Sequence, residues 1–447
     1  MALTEIPFSK QTLHQQLGTI LLLGTFGLLM FGPLAFGAVE PWSMFLMQAG
    51  AALLLVLWSV QQVLQGRIEI RPNPVFAPML VFGALVLAQL VLRRSAYMHE
   101  TVNGALLYVA YGILCFLASQ VIVRKEQLQR LAMLFSVYGT AVACFALLQG
   151  ISSNGRLYWM REPSNGGWIY GPYVNHNHYA GLMEMLVPIP LVIALSKLTD
   201  QRQRAVAAAA GAIMAGTIFL SGSRGGMIAL LVELTILGIL LVRQKKGMRT
   251  AVTVGLFSVI VVGVLVWVGG AELSQRIATM MSASHSDITN SMRMNLNRDG
   301  IRMFLKRPVL GWGLGTFPIA YPEFRSFYTN FFVNEAHDDY VQLLVEMGAL
   351  GFATMLWFLI AAFRSCLGKL GNWSTDLNGS LAAACLLGIS GILVHSLVDF
   401  NLQIPANAAL FYVLCALAAS AKLVVPVRRR KPTKAAPEPS MPASEVV

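Results

Sequence analysis

The chain has 447 residues, of which 56% are hydrophobic and 12% charged, whereas a soluble protein carries about 25% charged residues. That much apolar surface excludes a soluble enzyme of this size, and the same composition excludes a disordered chain. Lys and Arg number 33 against 21 Asp and Glu, a net charge of +12; in a membrane protein this excess speaks to orientation rather than to nucleic acid.

Crossing a bilayer takes about 20 apolar residues. Such runs lie at 17–36, 42–64, 75–92, 104–123, 130–150, 180–196, 205–221, 227–243, 250–269, 341–363, 379–398 and 406–426. They predict an all-α polytopic integral membrane protein with about 12 spans. Spans 1–9 occupy residues 1–269, a large outer loop 270–340, spans 10–12 residues 341–426, and a disordered basic tail 427–447. The first run is long and lacks a small-residue cleavage site after it, so it reads as a span rather than a signal peptide. With both termini cytoplasmic, 21 of the 33 basic residues fall on inner segments and every short inner loop is basic. The cysteines Cys115, Cys144, Cys366, Cys385 and Cys415 show no C-x-x-C spacing, so neither disulfides nor a Cys-based zinc site is expected.

Chemistry should reside in polar groups that a membrane makes costly. In chain order, the first outer candidate is the 151–179 loop, with Arg156, Arg161, Tyr158, Trp159, Trp168, Tyr170 and Tyr173. Arginines among aromatics suit sugar faces and phosphates, and equally an interfacial belt. Asn175-His176-Asn177-His178 follows, where helix capping competes with metal ligation. The turn Ser221-Gly-Ser223-Arg224-Gly-Gly226 has Arg224 as its one charge, at the start of the next span. Glycines, a helix N-terminus and an arginine together make an anion site; the alternative is an arginine reaching outer headgroups.

In the long loop, residues 290–306 put Met292, Leu296, Met303, Phe304 and Leu305 near one helical stripe and Arg293, Arg298, Arg302 and Lys306 largely on another. This predicts a basic amphipathic helix at the outer surface, followed by a flexible aromatic turn, Gly311-Trp-Gly-Leu-Gly315. That G-x-G-x-G lacks the strand and helix of a dinucleotide site. Before span 10 stands Asn334-Glu-Ala-His337-Asp338-Asp339-Tyr340. Asn334 is a candidate N-cap there, and His337 a candidate base, with cap and cation-binding alternatives. His395 and Asp399, four apart near the end of span 11, have the spacing to pair on one helix face. The working assignment is His337 as catalytic base, Arg224 and Arg293 as diphosphate ligands, and Arg161, His178, Arg298 and Asp338 as substrate-binding candidates. No metal, cofactor or nucleic acid is expected.

Five segments then carry a resemblance: NHNHYAGLMEMLVPIP (175–190), SGSRGG (221–226), RPVLGWGLGTF (307–317), AHDDYVQLLVEMGALGF (336–352) and HSLVDFNLQIPANA (395–408). In order and spacing the chain resembles the O-antigen ligase and O-antigen polymerase superfamily of bacterial envelope glycosyltransferases, from about residue 100 to 420. The resemblance implies a GT-C-like fold in the inner membrane and metal-independent glycan transfer on the periplasmic face. The donor would be a glycan on undecaprenyl diphosphate. The acceptor would be a sugar hydroxyl, on lipid A-core for a ligase or on another repeat unit for a polymerase. The family's two arginines fall on Arg224 and Arg293, its histidine on His337. Relatives commonly read His-Asn-Asp-Tyr, and this chain has Asp338 in second place; a carboxylate there would raise the histidine pKa or bind a cation. The single long outer loop favours a ligase, with an exopolysaccharide polymerase as the alternative. Solute transporters and structural subunits of export complexes are the rival classes, the former requiring charges inside the spans.

Overall fold

A computed structural model of the protein describes residues 10–162, 169–244, 255, 290–329 and 332–423. Its helices are α1 (Lys10–Leu34), α2 (Pro41–Gln65), α3 (Phe76–Val91), α4 (Met98–Val121), α5 (Lys125–Ile151), α6 (His176–Leu186), α7 (Pro188–Leu195), α8 (Gln201–Leu220), α9 (Arg224–Arg243), α10 (Asn290–Lys306), α11 (Asp339–Leu367), α12 (Leu377–His395) and α13 (Pro405–Ala419). Pro188 and Pro190 each remove a backbone donor and divide α6 from α7, yet the two run on as one apolar stretch, His176–Leu195. Among the described residues nine stretches are long and apolar enough to cross a membrane, and α3 and α13 are shorter apolar helices. The chain is an all-α polytopic membrane protein. Eleven of the twelve expected spans coincide with these helices. The twelfth, at 250–269, lies outside the described residues except for residue 255, and so do Trp168, the loop up to residue 289 and the tail from 427.

Burial separates centre from rim. Inside the protein lie 72% of His176–Leu195 and of Leu377–His395, against 28% of α2 and of α8. The central helices are therefore α6–α7 and α12, joined by α13, which is buried along nearly its whole length. Rim helices present large apolar side chains outward, such as Phe45, Leu53, Leu80 and Val137, as a lipid-facing surface must.

A second, smaller core sits on the start of α11. Leu296 and Met303 of α10 pack there with Phe317, Tyr321, Val341 and Val345. The stripe of α10 thus faces protein rather than lipid, and Leu305, 66% exposed, is not part of it. The reason is that the loop folds back over α11 and supplies the apolar partner. Asp299, fully buried, fastens this fold by accepting from Ser326 N (2.9 Å), Ser326 Oγ (3.0 Å) and Tyr321 Oη (3.3 Å).

The 311–315 turn is pinned, contrary to the expected flexibility. Gly348 has φ of +64° and interrupts the hydrogen bonding of α11. Ala349 N and Leu350 N turn to the carbonyls of Pro308 (2.7 Å) and Val309 (3.3 Å); Val345 and Glu346 carbonyls accept instead from Trp312 N (2.9 Å) and Gly313 N (3.0 Å). Each buried backbone group keeps a partner by exchange. The Glu346 carboxylate adds acceptors for Gly315 N (2.8 Å) and Phe317 N (3.2 Å). These glycines thus fit a loop to a broken helix.

Candidate active site

Four chain segments meet at one end of the bundle: the start of α6, the start of α10, the residues before α11, and the turn after α12. Their meeting point is Asp399, whose side chain is 1% exposed. Its Oδ2 accepts from Asn177 Nδ2 (2.5 Å) and its Oδ1 from Phe400 N (2.8 Å). Arg293 Nη2, His337 Nδ1 and His178 Nε2 each stand 3.8 Å from a carboxylate oxygen. The Phe400 ring meets both imidazoles edge-on, at 4.6 Å from His178 and 4.7 Å from His337. His395 and Asp399 do not pair, because α12 ends at His395 and the chain turns through Val398 N→His395 O (3.0 Å). His395 binds Glu184 instead.

His337 has φ of +56°, a left-handed conformation that costs a non-glycine residue about 1–3 kcal/mol. Its position is enforced from the next residues. Asp338 is the N-cap of α11, accepting from Tyr340 N and Val341 N (both 3.0 Å) and, through Oδ2, from Asn297 Nδ2 (3.3 Å). Asn334 is therefore not the cap. Asp339 accepts from Leu402 N and Gln403 Nε2 (both 3.1 Å) and so ties α11 to the turn after α12. Asn175 caps α6 by accepting from Asn177 N (2.8 Å), which is the capping reading of the NHNH segment. Asn407 donates to the His178 carbonyl (2.9 Å) and accepts from Tyr173 Oη (2.8 Å), holding that turn against α13.

Electrostatics follow from this packing. Burial lowers the His337 imidazole to about 4; Asp399 opposes the shift and Arg293 reinforces it. The ring is thus neutral at pH 7. Asp338 does not raise it, since that carboxylate is spent on the cap and is itself pushed up by burial. Burial also pushes Asp399 up, but His178, His337, His395 and Arg293 outweigh it and hold the carboxyl below its usual range. Asp399 is an anion under two imidazoles and a guanidinium.

Arg293 and His337 come together at Asp399, and the turn that carries Arg224 abuts Val398. Arg293 Nη1 donates to the Val398 carbonyl (2.8 Å). A Cβ on Gly225 would lie 3.0 Å from the Val398 side chain, so the Arg224 turn abuts the same residue. Arg224, on the first turn of α9, is exposed. His178 also joins the site. Arg298 is exposed on α10. Arg161 belongs to a separate cluster, with Nη2 2.5 Å from Glu40 Oε1 and its guanidinium 4.6 Å from the Phe36 ring centre. Asn177, a central ligand of Asp399, is a residue that sequence reasoning left unweighted, and so are Glu184 and Glu233, two carboxylates buried inside apolar runs. For Asn177 the available signal was its place inside a motif with two histidines.

Residues 209–356 match the family model described as O-antigen ligase. Over that segment the chain is similar to the O-antigen ligase family. No curated protein matches the chain. The matched segment runs from α8 into the middle of α11 and contains Arg224, Arg293, Arg298, His337 and Asp338. Asn177, His178 and Asp399 lie outside it, and the fold brings them to the same place. Beside the Asp399 cluster a cavity of ≈ 550 Å³ is lined by Glu100, Asp339, Tyr340 and Gln403 near the helix starts and by Tyr111 and Phe358 further along the helices.

Proposed function

We propose that the protein transfers a glycan from undecaprenyl diphosphate to a sugar hydroxyl of lipid A-core, at the periplasmic face of the bacterial inner membrane. The observation that carries this reading is a neutral, largely buried histidine and an arginine on one carboxylate, with the Arg224 turn packed against the same 398–400 turn. His337 takes the proton of the acceptor hydroxyl as its oxygen attacks the anomeric carbon. The bond from that carbon to the diphosphate oxygen breaks, and the electron pair leaves with undecaprenyl diphosphate. Arg224 and Arg293 stabilise the charge that grows there. Attack opposite the leaving group inverts the anomeric centre. Asp399 orients Arg293 and stabilises the imidazolium that forms on His337, as a buried carboxylate does for a catalytic histidine elsewhere. The cavity beside Asp339 and Tyr340 offers a mostly apolar place for a lipid chain with polar groups at its end.

The test is transfer by the purified protein with a lipid-linked glycan as donor. His337→Ala should lose about 10²–10⁴ in rate while remaining folded; transfer at the wild-type rate would end the assignment. A deletion strain separates the two acceptors. Accumulated lipid-linked polymer indicates a ligase, whereas lipid A-core bearing single repeat units indicates the polymerase that uses the same chemistry.

A further inference from the structure

Behind the Arg224 turn lies a row of three buried side chains from three elements, none of which the transfer step uses. Glu184 of α6 and Ser223, the N-cap of α9, have no exposed surface, and His395 at the end of α12 is 1% exposed. Glu184 Oε1 is 2.7 Å from His395 Nδ1. His395 Nε2 is 3.5 Å from Ser223 Oγ, which accepts from Gly226 N at 3.1 Å. Counting donors and acceptors gives the row a direction. A carboxylate at Glu184 calls for a proton on Nδ1, and Nε2 then accepts the Ser223 hydroxyl proton. The free lone pairs of Ser223 remain for Gly226 N–H.

Serine, histidine and glutamate in this order resemble an acyl-transfer triad, but the Ser223 hydroxyl is occupied as a helix cap and sealed from any substrate. The row therefore acts on geometry. Its contact with α9 is close. A Cβ on Gly225 would lie 2.5 Å from His395 Cδ2 and 2.7 Å from Nε2, and one on Gly226 would lie 2.8 Å from Ala180 Cβ and 3.1 Å from Glu184 Oε1. The first turn of α9 is seated on the imidazole and on α6, and Arg224 projects from that turn.

We propose that His395, held by Glu184, is a positioning residue for Arg224: it fixes the Ser223 cap and through it the reach of the guanidinium to the donor's diphosphate. This rests on the diphosphate reading of Arg224. Removing the seat lets the first turn shift, and a displacement of about 1 Å in a positioned group costs up to about 10² in rate.

The experiment is a double-mutant cycle on the full-length protein in lipid nanodiscs, with undecaprenyl-diphosphate-linked glycan as the varied substrate. His395→Gln should lower kcat/KM for the donor by about ten- to a hundredfold and leave the acceptor KM unchanged. Combined with Arg224→Ala it should add nothing, because it acts only through Arg224. Glu184→Gln keeps an acceptor for Nδ1–H and should give a smaller loss in the same sense; its cycle decides if the His395 variant does not fold. Losses that multiply with Arg224→Ala, or an effect on the acceptor KM, would overturn the inference while leaving the diphosphate reading intact. A fully active Arg224→Ala would overturn both.

Discussion

Asp399→Asn is the most direct probe of the site, because it removes one charge and almost no volume. The amide oxygen still accepts from Phe400 N, and the Asn177 amide, turned over, meets the new amide nitrogen, so the local fold should persist. What is lost is the anion 3.8 Å from His337 Nδ1 and 3.8 Å from Arg293 Nη2. At an effective dielectric constant of about 20, two unit charges at that separation attract by about 4 kcal/mol. In the proposed transition state His337 carries only part of a proton's charge; half a charge is worth about 2 kcal/mol, or about 30-fold in rate. Full proton transfer sets the upper bound at about 10³-fold. The assay is kcat/KM for the donor across pH 3–8, which reports groups of the free enzyme. In the wild type, kcat/KM should be flat from neutrality and fall as pH drops through about 4, where His337 becomes protonated. Asp399 raises the His337 pKa, so the variant should be slower on the plateau with its acid limb moved to lower pH. A plateau within threefold of wild type, or an acid limb moved to higher pH, would refute the role given to Asp399.

Other changes test the surroundings. Arg293→Lys keeps the charge but loses the fork that joins Val398 O to Asp399; donor kcat/KM should fall by about 10²-fold, and full activity would make Arg293 a bystander. Gly348→Ala forces a side chain into φ of +64° and against the Val309 carbonyl. That should destabilise the protein by about 1–3 kcal/mol, read as a lower thermal midpoint in detergent, and no shift would contradict the exchange between α11 and the 308–313 loop. Arg161→Ala breaks a partly exposed pair with Glu40, worth at most about 1 kcal/mol. Transfer should stay within fivefold of wild type, and a larger loss would bring Arg161 into the substrate path.

The legibility of this protein in its sequence divides along a physical line. Hydropathy found the spans because a bilayer imposes the same demand on each of them: the runs at 42–64 and 75–92 became Pro41–Gln65 and Phe76–Val91. Most helix ends were legible within a few residues, but α1 and α4 begin six or seven residues early, α13 ends seven residues short, and the cap of α11 is Asp338 rather than Asn334. Arg224 and His337 stood out because polar groups at the end of an apolar run need a reason, whereas Arg293 stood out from its basic stripe through the family resemblance. Their supporters did not. Asn177 and Asp399 are 222 positions apart, and nothing in either local pattern encodes the meeting. Glu184 is one carboxylate in an apolar run, and its partner His395 sits on a different helix. Likewise, the three glycines of 311–315 suggested flexibility, and only the break at Gly348 explains why they are held.

The same neighbourhood is where the fold tolerates cost. His337 Nδ1, His178 Nε2 and Arg293 Nε are buried and have no hydrogen-bond partner in the protein, and each such atom costs about 1–3 kcal/mol. His337 adds the strain of its left-handed backbone. Buried polar atoms without a partner occur elsewhere too, Thr25 Oγ1 and Gln149 Oε1 among them, but these three groups share one carboxylate at the meeting of four segments. Burial is what keeps His337 neutral and fit to take a proton, and burial is also what leaves its nitrogen unpaired. The two cannot be separated: a hydrogen-bonded His337 Nδ1 would be cheaper to fold and less free to respond when charge develops on the ring. The stability given up here is set against the deeply packed α6, α12 and α13, the most buried helices, on which the candidate site is built.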